Sequence, residues 1–240
     1  GIRDVAVTGV QTCALPIWGI EPVACTRFCE QPQLRHVGGT KDPDIDAIIA
    51  LEPDLVVVDR EENRKEDAEA LVAAGLALHV THVVSLAQVE PTLRAFWQAV
   101  GRPGPDPALE FAKVSAGAGS PGRRRAFVPI WRRPWMTINA DTYGATVLAA
   151  CGVVSAFADR DERYPEVTLE ETGTLSPDLV ILPSEPYAFA DRHVPELQAA
   201  LTRGDGNPVP VLFVDGRDLF WWGARTPGAL NRLSALLSNA

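Results

Sequence analysis

A six-residue pattern, Leu-x-Pro-Asp-Leu-Val, occurs twice in the chain, once in each half. The first copy begins at Leu51 and the second at Leu175, and each runs directly into two further apolar residues. In both copies a helix-like segment ends at the proline, and the apolar run that follows has no polar alternation. Such a run is typical of a strand that is buried on both faces of a parallel sheet. The repeat therefore predicts two similar α/β units in tandem, which form two lobes with a cleft between them.

Helix-like and strand-like patterns alternate along both halves, which predicts an α/β protein with one parallel sheet in each lobe. The composition shifts at two Gly-rich stretches, residues 101–105 and 117–122, and a short helix candidate lies between them. These stretches mark the predicted crossing between the lobes. We therefore divide the chain into an N-terminal lobe at 18–104, a bridging helix at 105–122 and a C-terminal lobe at 123–240.

The N-terminal residues do not read like natural protein sequence. Residues 7–17 resemble the conceptual translation of a common short-read sequencing adapter. We therefore expect residues 1–17 to be foreign to the natural protein, natural sequence to begin near Trp18, and the first strand of the N-terminal lobe to be missing. The alternative is a genuine N-terminal strand. An export signal would have been lost with the natural start, which leaves the compartment open.

Charge and hydropathy argue against two classes of function. The 240 residues carry a formal net charge of −9, whereas a surface that binds phosphates needs clustered Lys and Arg. The basic run at residues 123–125 has no aromatic residues between its arginines and precedes an apolar strand. No apolar stretch approaches the roughly 18 residues that a membrane span requires. We therefore expect no nucleic-acid partner and no membrane-spanning segment.

The motifs of common catalytic and metal sites are missing from the sequence. It contains no Gly-x-Ser-x-Gly, no Walker loop and no Gly-x-Gly-x-x-Gly. His79 and His82 are at strand spacing, so their rings point to opposite faces. Of the four cysteines, Cys13 lies in the segment expected to be foreign. The remaining three, Cys25, Cys29 and Cys151, have no fourth ligand nearby in sequence, so we expect free thiols rather than a zinc site. The sequence predicts a protein that is not an enzyme, with no catalytic residues, no bound metal and no cofactor of its own.

Three segments of the C-terminal lobe carry aromatic and arginine side chains directly after predicted strands, at residues 130–137, 183–189 and 215–225. Ligands of open α/β sheets bind at the carboxyl ends of the strands. A Trp or Tyr buries on the order of 150–250 Å² against a partner, so these loops are suited to ligand contact. The alternative is that some of the rings pack against loops or between the lobes. The adjacent pair Trp221 and Trp222 favours ligand contact, because two bulky neighbours cannot both point into one core.

At these residues the chain resembles a known family, the substrate-binding proteins of ABC importers for cobalamin, ferric siderophores and haem. It is more closely similar to the cobalamin-binding-like branch, the helical-backbone metal receptors. Together the matching stretches are specific for the family, although none of them identifies the ligand. They span nearly everything from Trp18 onward and comprise residues 26–30, 37–41, 53–58 with 61–64, 130–137, 184–189 with His193, and 214–225.

The resemblance implies the class III periplasmic-binding-protein fold, in which two Rossmann-like lobes with parallel sheets are joined by a single backbone helix. It also implies a shallow cleft that binds a bulky metal chelate, either a corrinoid or a ferric siderophore or haem. A protein of this kind is a monomer, lies in the periplasm or is lipid-anchored outside the cytoplasm, and delivers its ligand to an ABC permease in the membrane. The bridging helix of this chain departs from the family, because it looks short and Gly-rich.

The resemblance also assigns roles to individual residues. Family members present an exposed glutamate on each lobe to arginine pockets of the permease, and Glu66 and Glu185 are the predicted pair. Aromatic rings cover the flanks of the chelate, and arginines meet its polar periphery. The predicted ligand-binding residues are Arg27, Asn63, Trp131, Trp135, Tyr143, Tyr187, Arg217, Trp221, Trp222 and Arg225.

Two other hypotheses stay open. One is a cytosolic protein or enzyme that handles metal chelates with the same fold, which needs a titratable group in the cleft, such as Glu185, His193 or Asp218. The other is direct binding of a bare metal ion, which needs a cluster of His and carboxylate side chains across the cleft. The natural gene start separates the first from transport, because an export signal favours transport.

Overall fold

The computed structural model describes residues 5–7, 20–29, 31–101, 104–112, 124–202 and 206–239. Its contacts divide the chain into two compact units. Unit 1 comprises Gly1–Val83, Ala87–Ala112 and Trp222–Arg225, and unit 2 comprises Val84–Leu86, Lys113–Trp221 and Thr226–Ala240.

Unit 1 is built around one parallel five-stranded sheet with the strand order β3-β2-β1-β4-β5. All of β4 is buried, as its unbroken apolar run predicts. Ile48 and Leu71 pack from two helices into the core beside Val56 and Val58 of that strand. The elements are β1 (Val5–Val7), β2 (Ala24–Cys25), β3 (Arg35–His36), α1 (Ile45–Ile49), β4 (Leu55–Asp59), α2 (Lys65–Ala73), β5 (Leu78–Thr81), α3 (Val89–Ala99) and α4 (Ala108–Ala112).

The first strand of this sheet is present, so the prediction that it is missing is wrong. Strand β1 pairs in parallel with β2 on one side and with β4 on the other, and Val5 and Ala6 are buried. A short run of small and β-branched residues suits a strand that is covered on both faces. The predicted adapter origin of residues 1–17 stays a prediction, and apart from 5–7 these residues lie outside the described part of the chain.

Unit 2 holds a second parallel sheet, with the order β11-β10-β6-β8, and a separate antiparallel pair of β7 and β9. Phe127, Val180, Leu182 and Leu197 lie at the centre of its core. The prediction of two α/β units with parallel sheets is confirmed. The elements are β6 (Arg124–Phe127), β7 (Trp135–Met136), α5 (Tyr143–Ala150), β8 (Val153–Ser155), β9 (Glu166–Val167), α6 (Leu169–Thr174), β10 (Leu179–Pro183), α7 (Val194–Ala200), β11 (Val211–Val214), α8 (Gly216–Phe220) and α9 (Thr226–Ser238).

The sequence repeat is also a structural repeat. In both copies the residue before the proline has left-handed backbone geometry, with φ of 45° at Glu52 and 47° at Ser176. Its N–H closes the preceding helix by donating to the carbonyl three residues earlier, Ile49 in unit 1 at 3.0 Å and Gly173 in unit 2 at 3.1 Å. Proline cannot continue a helix, so the chain turns there and enters the buried strand.

The predicted bridge at 105–122 is described only in part. Residues 108–112 form the short helix α4, and residues 113–122 lie outside the described residues. The prediction of one helix across the whole bridge therefore stays a prediction.

Candidate ligand-binding site

Five ring-bearing side chains gather where two neighbouring strands of unit 2 end. We call Trp131, Trp135, Tyr187, Phe189 and His193 the aromatic cluster. Trp131 and Trp135 follow β6, and the other three follow β10, which lies next to β6 in the sheet. Because both strands are parallel, their carboxyl ends meet at the same edge, where open α/β sheets bind ligands.

The rings of the aromatic cluster form a continuous series of contacts. Trp135 and Phe189 are stacked, with 6.0 Å between ring centroids and 3° between ring planes. Tyr187 lies 4.7 Å from Phe189 and meets Trp131 edge to face at 5.5 Å. Each such pair contributes about 0.5–1.5 kcal/mol beyond the area it buries. The cluster is therefore held in a defined shape by its own contacts.

Exposure rises from the base of the aromatic cluster to its rim. Phe189 and His193 are buried, and Trp135 and Tyr187 are half-buried against the core of unit 2. Trp131 is 45% exposed, which is high for so large an apolar ring. The base supports the rim, and the rim leaves an indole ring available to a partner molecule.

An ion pair fixes the loop that carries the two tryptophans. The Arg132 guanidinium donates to Oε2 of Glu196 at 3.0 and 2.7 Å, and it lies 5.8 Å from the Trp135 ring centroid. Glu196 belongs to α7, so the contact ties the loop after β6 to the helix after β10. Its carboxylate raises the pKa of Arg132 through this hydrogen bond.

His193 supports the aromatic cluster as a neutral base. Its Nδ1 accepts a hydrogen bond from the N–H of Ala190 at 3.0 Å, and Nε2 lies 3.5 Å from the Tyr187 hydroxyl. An Nδ1 that accepts carries no proton, so the neutral ring has its proton on Nε2. Burial lowers the pKa of His193 from its ordinary value of 6.5, and the charges of Arg192 and Arg132 lower it further.

Unit 2 is expected to lose stability as the pH falls through 6.5, the ordinary histidine pKa. Below that pH the unfolded chain binds a proton at His193, whereas the folded chain does not until the pH reaches its lower pKa. His193 therefore contributes its full stabilisation above that pH, and the contribution declines as the pH falls toward the folded-state pKa. The decline from this one group cannot exceed about 1.4 kcal/mol per pH unit. Urea unfolding between pH 5 and 8 measures it.

The matched control for this experiment is His193→Asn. The Asn side-chain oxygen can replace Nδ1 as the acceptor of the Ala190 N–H but does not titrate. We therefore expect the free energies of unfolding of the two chains to differ by a constant amount near pH 8, because the variant lacks the ring contacts, and this difference to change below pH 6.5 as the wild type alone loses stability. Curves that stay parallel over the whole range would show that His193 does not titrate against folding.

The turn after β11 neutralises one of the arginines predicted to bind ligand. Arg217 donates to the Asp215 carboxylate from Nε at 3.1 Å and from Nη2 at 2.9 Å, and its backbone N–H donates to the same carboxylate at 2.9 Å. Asp215 is also the residue that caps α8. Arg217 therefore closes this turn, and ligand contact by Arg217 stays a prediction.

The loop after β10 packs tightly against the start of α8. Ser184 accepts a hydrogen bond from the Gly216 N–H at 3.0 Å, and Glu185 lies against the Gly216 Cα. Glu185 is half-buried, with one carboxylate oxygen out of contact with solvent. Glu185 is therefore less exposed than the predicted docking role expects, because the close approach of the two loops covers part of the side chain, and its docking role stays a prediction.

Glu66, the other predicted docking residue, is exposed in the first turn of α2. The neighbouring residue Asp67 forms an ion pair with Arg64, which donates to both of its carboxylate oxygens at 2.9 Å. The exposure of Glu66 agrees with the docking role, which itself stays a prediction.

Two predicted ligand residues of unit 1 hold loops of the fold. Arg27 donates to both oxygens of Asp42 at 2.9 and 3.0 Å. Asn63 accepts from the Asp59 N–H at 2.8 Å and donates to the Thr40 carbonyl at 2.9 Å. Arg27 therefore links the turn after β2 to the side chain of Asp42, whereas Asn63 fixes backbone at the end of β4. Contact of either residue with a ligand stays a prediction.

The remaining predicted residues do not join the aromatic cluster. Tyr143 is buried and its hydroxyl lies 3.0 Å from the Thr226 hydroxyl. Trp222 is only 5% exposed, whereas Trp221, which directly follows α8, is half-buried, and Arg225 is half-buried as well. Burial leaves Tyr143 and Trp222 almost no surface to offer a ligand in this structure.

Three residues of this site were not among the predicted ligand-binding residues, although His193 was named as a candidate titratable group of the cleft. Phe189 and His193 lie at the base of the aromatic cluster, and Arg132 braces it. The sequence offered a signal for Phe189, because it stands two residues from Tyr187 in the same loop. The partner of Arg132, Glu196, is 64 residues away in sequence, so no local pattern could have shown the pair.

Within the described residues, no group of three or more His, Cys, Asp or Glu side chains is arranged to hold a metal ion. In the same part of the chain, no helix has the length and apolar character needed to cross a membrane. Cys25, Cys29 and Cys151 are free thiols, as the sequence predicts.

Comparison with known proteins finds relatives that are named as binding proteins. A vitamin B12-binding protein of Salmonella choleraesuis strain SC-B67 is 26% identical over 176 residues, which cover 68% of this chain and 65% of that protein. The chain thus spans somewhat less than two thirds of the length of the curated relatives it matches. No family model matches the chain.

Solved structures agree with the sequence relatives. The periplasmic vitamin B12-binding protein BtuF of Vibrio cholerae superposes with a TM-score of 0.81 at 18% identity, covering 99% of this chain and 97% of that one. The periplasmic haem-binding protein RhuT of Roseiflexus sp. RS-1 gives 0.79 at 19% identity, covering 100% and 99%. The resemblance inferred from the sequence is confirmed. The chain has the fold of class III periplasmic binding proteins.

Proposed function

We propose that this chain is the substrate-binding component of an ABC importer and that its substrate is a bulky metal chelate of the corrinoid, haem or ferric-siderophore type. The observation that carries the proposal is the aromatic cluster at the carboxyl end of the unit 2 sheet. The relatives, which are named for vitamin B12 and haem binding, support the class of ligand.

The aromatic cluster suits a large, flat or compact chelate with apolar flanks. An indole ring that is exposed at its rim and supported from below offers contact area at a low cost in conformational entropy. The cluster is held in shape by the stack of Trp135 on Phe189 and by the edge of Tyr187 against Trp131. A preformed surface of this kind accepts several chelates of similar size.

We further propose that the chain binds its ligand without converting it and that it carries no cofactor of its own. The relatives support this, because they are named as binding proteins. The role also implies a position outside the cytoplasm, where periplasmic relatives act, a monomeric state, and a membrane permease as partner. Glu66, exposed in the first turn of α2, is the docking residue that we propose for that permease.

A panel of absorbance titrations tests the proposed function. The intact chain is titrated into cobalamin, cobinamide, haem and a ferric siderophore, with metal-free protoporphyrin as a matched control of similar shape. We expect saturable binding of at least one chelate with a Kd of about 1 μM or tighter. A folded chain, verified by circular dichroism, that binds none of the four would overturn the proposal.

A further inference from the structure

We propose that Cys25 and Cys29 form a reversible intrachain disulfide that locks the turn after β2. Both residues are free thiols in the structure, Cys25 buried at the end of the strand and Cys29 half-buried three residues beyond Thr26. This modification site is independent of the proposed ligand site in unit 2.

A tight turn brings the two cysteines together. The Cys29 N–H donates to the Thr26 carbonyl at 3.0 Å, which reverses the chain within four residues. The strand end before the turn is fixed, because the Cys25 carbonyl accepts from the Val37 N–H at 2.9 Å. The turn therefore makes Cys29 a close neighbour of Cys25, close enough for its thiol to act on the pKa of the Cys25 thiol. The two thiols are thus neighbours before any oxidation takes place.

Burial assigns different chemical roles to the two thiols. Burial and the neighbouring Cys29 raise the pKa of the Cys25 thiol to about 12, so Cys25 is a poor nucleophile at neutral pH. Cys29 is the more accessible of the pair and attacks first. Its thiolate attacks a small disulfide such as oxidised glutathione, forms a mixed disulfide and releases one glutathione thiolate.

Ring closure completes the exchange. Cys25 loses its proton, attacks the Cys29 sulfur and expels the second glutathione thiolate, so that two protein thiols and one disulfide give one protein disulfide and two glutathione thiols. Because the attacking species is the Cys25 thiolate, the rate of closure should rise about tenfold per pH unit below its pKa. The mixed disulfide on Cys29 is therefore expected to accumulate before closure at neutral pH.

The disulfide would restrain a surface that unit 1 presents. Between the two cysteines lie Arg27 and Phe28, and the Phe28 ring is 56% exposed with the Arg27 guanidinium 5.1 Å from its centroid. In the reduced chain this turn is held by hydrogen bonds and by the Arg27–Asp42 ion pair. The bond after Arg27 is a trypsin site, so its cleavage reports directly on the freedom of the turn.

The experiment incubates the intact chain with oxidised glutathione, blocks the remaining thiols by alkylation and maps them by mass spectrometry. We expect the peptide with Cys25 and Cys29 to lose two hydrogen atoms and escape alkylation, while Cys151 in the same chain is alkylated. Trypsin cleavage after Arg27 should slow at least severalfold in the oxidised chain and recover after reduction.

Two variants separate the steps. With Cys25→Ser the reaction should stop at the mixed disulfide on Cys29. With Cys29→Ser, which changes a half-buried position, no protein disulfide should form, so the peptide should keep its two hydrogen atoms. Complete alkylation of both cysteines in the wild-type chain after oxidation would overturn the proposal. So would a wild-type reaction that ends at the mixed disulfide at high pH.

Discussion

Replacing Trp131 with Ala is expected to weaken binding of the metal chelate about tenfold, or roughly 1.4 kcal/mol. The Trp131 ring is the exposed rim of the aromatic cluster, and a ligand that covers it removes apolar area from water. Residues of this type, large rings next to a supported apolar base, carry a disproportionate share of binding energy. Calorimetric titration of the chelate selected by the binding panel measures the change.

Two further variants make the loss of affinity interpretable. Phe213→Ala removes another exposed ring of unit 2, 39% exposed on β11, and is expected to leave affinity unchanged. Trp135→Ala removes a ring packed against Phe127 and Phe189, so it should lower the free energy of unfolding by about 2–4 kcal/mol. Trp131→Ala leaves that core packing intact, so we expect its unfolding midpoint to stay close to that of the wild type.

Replacing Gly216 with Ala is expected to destabilise unit 2 by about 2–3 kcal/mol, at the upper end of the range for overpacking. A Cβ on residue 216 would lie 2.6 Å from the carbonyl oxygen of Glu185 and 2.7 Å from its nitrogen. These are backbone atoms, so no side-chain rotation can relieve the clash. The loops after β10 and β11 would have to separate. Urea denaturation, analysed for the change in midpoint, measures the loss.

Gly173 provides the matched control for that substitution. It also lies in a short helix of unit 2, but the nearest atom to its added Cβ is the Ala200 carbonyl oxygen at an ordinary 3.5 Å. Gly173→Ala should therefore be neutral or stabilise by about 0.5–1 kcal/mol, since Ala loses less backbone entropy than Gly. Equal effects of the two substitutions would refute the close approach of the loops.

The repeat shows how much of the fold could be predicted from the sequence. A proline after a helix, followed by an unbroken apolar run, is a local signal, and both copies turn at the same point with the same backbone geometry. Strand β1 was missed for another reason. Residues 1–17 were set aside as foreign sequence, and the three residues of β1 carry little periodicity of their own. Their place in the middle of the sheet depends on pairing with β2 and β4, which are distant in sequence.

The sequence predicted where the candidate site lies but not all of the residues that form it. Aromatic residues after β6 and β10 indicated the carboxyl edge of the sheet, and Trp131, Trp135 and Tyr187 do lie together there. Trp221 and Trp222 differ in burial although they are adjacent. The backbone is extended at Trp221, just beyond the end of α8, and successive side chains of an extended chain point in opposite directions. Trp221 is half-buried and Trp222 is covered, so contact of Trp222 with a ligand stays a prediction.

Arginine roles were the least accessible to sequence reasoning. An arginine that binds ligand and one that neutralises a carboxylate look identical in sequence, and the choice depends on partners brought near by folding. Arg27 is paired with the Asp42 carboxylate, and Arg132 is paired with the Glu196 carboxylate, which is 64 residues away in sequence. Arg217 is the exception, because its partner Asp215 stands two residues away at the start of the same helix.

The most direct test of the central claim, that the aromatic cluster is the surface that holds the chelate, is a calorimetric titration of the wild-type and Trp131→Ala chains side by side. The account predicts one site per wild-type chain and about tenfold weaker binding by the variant, with no matching fall in unfolding midpoint. Equal affinities in the two chains would contradict it and place the chelate elsewhere.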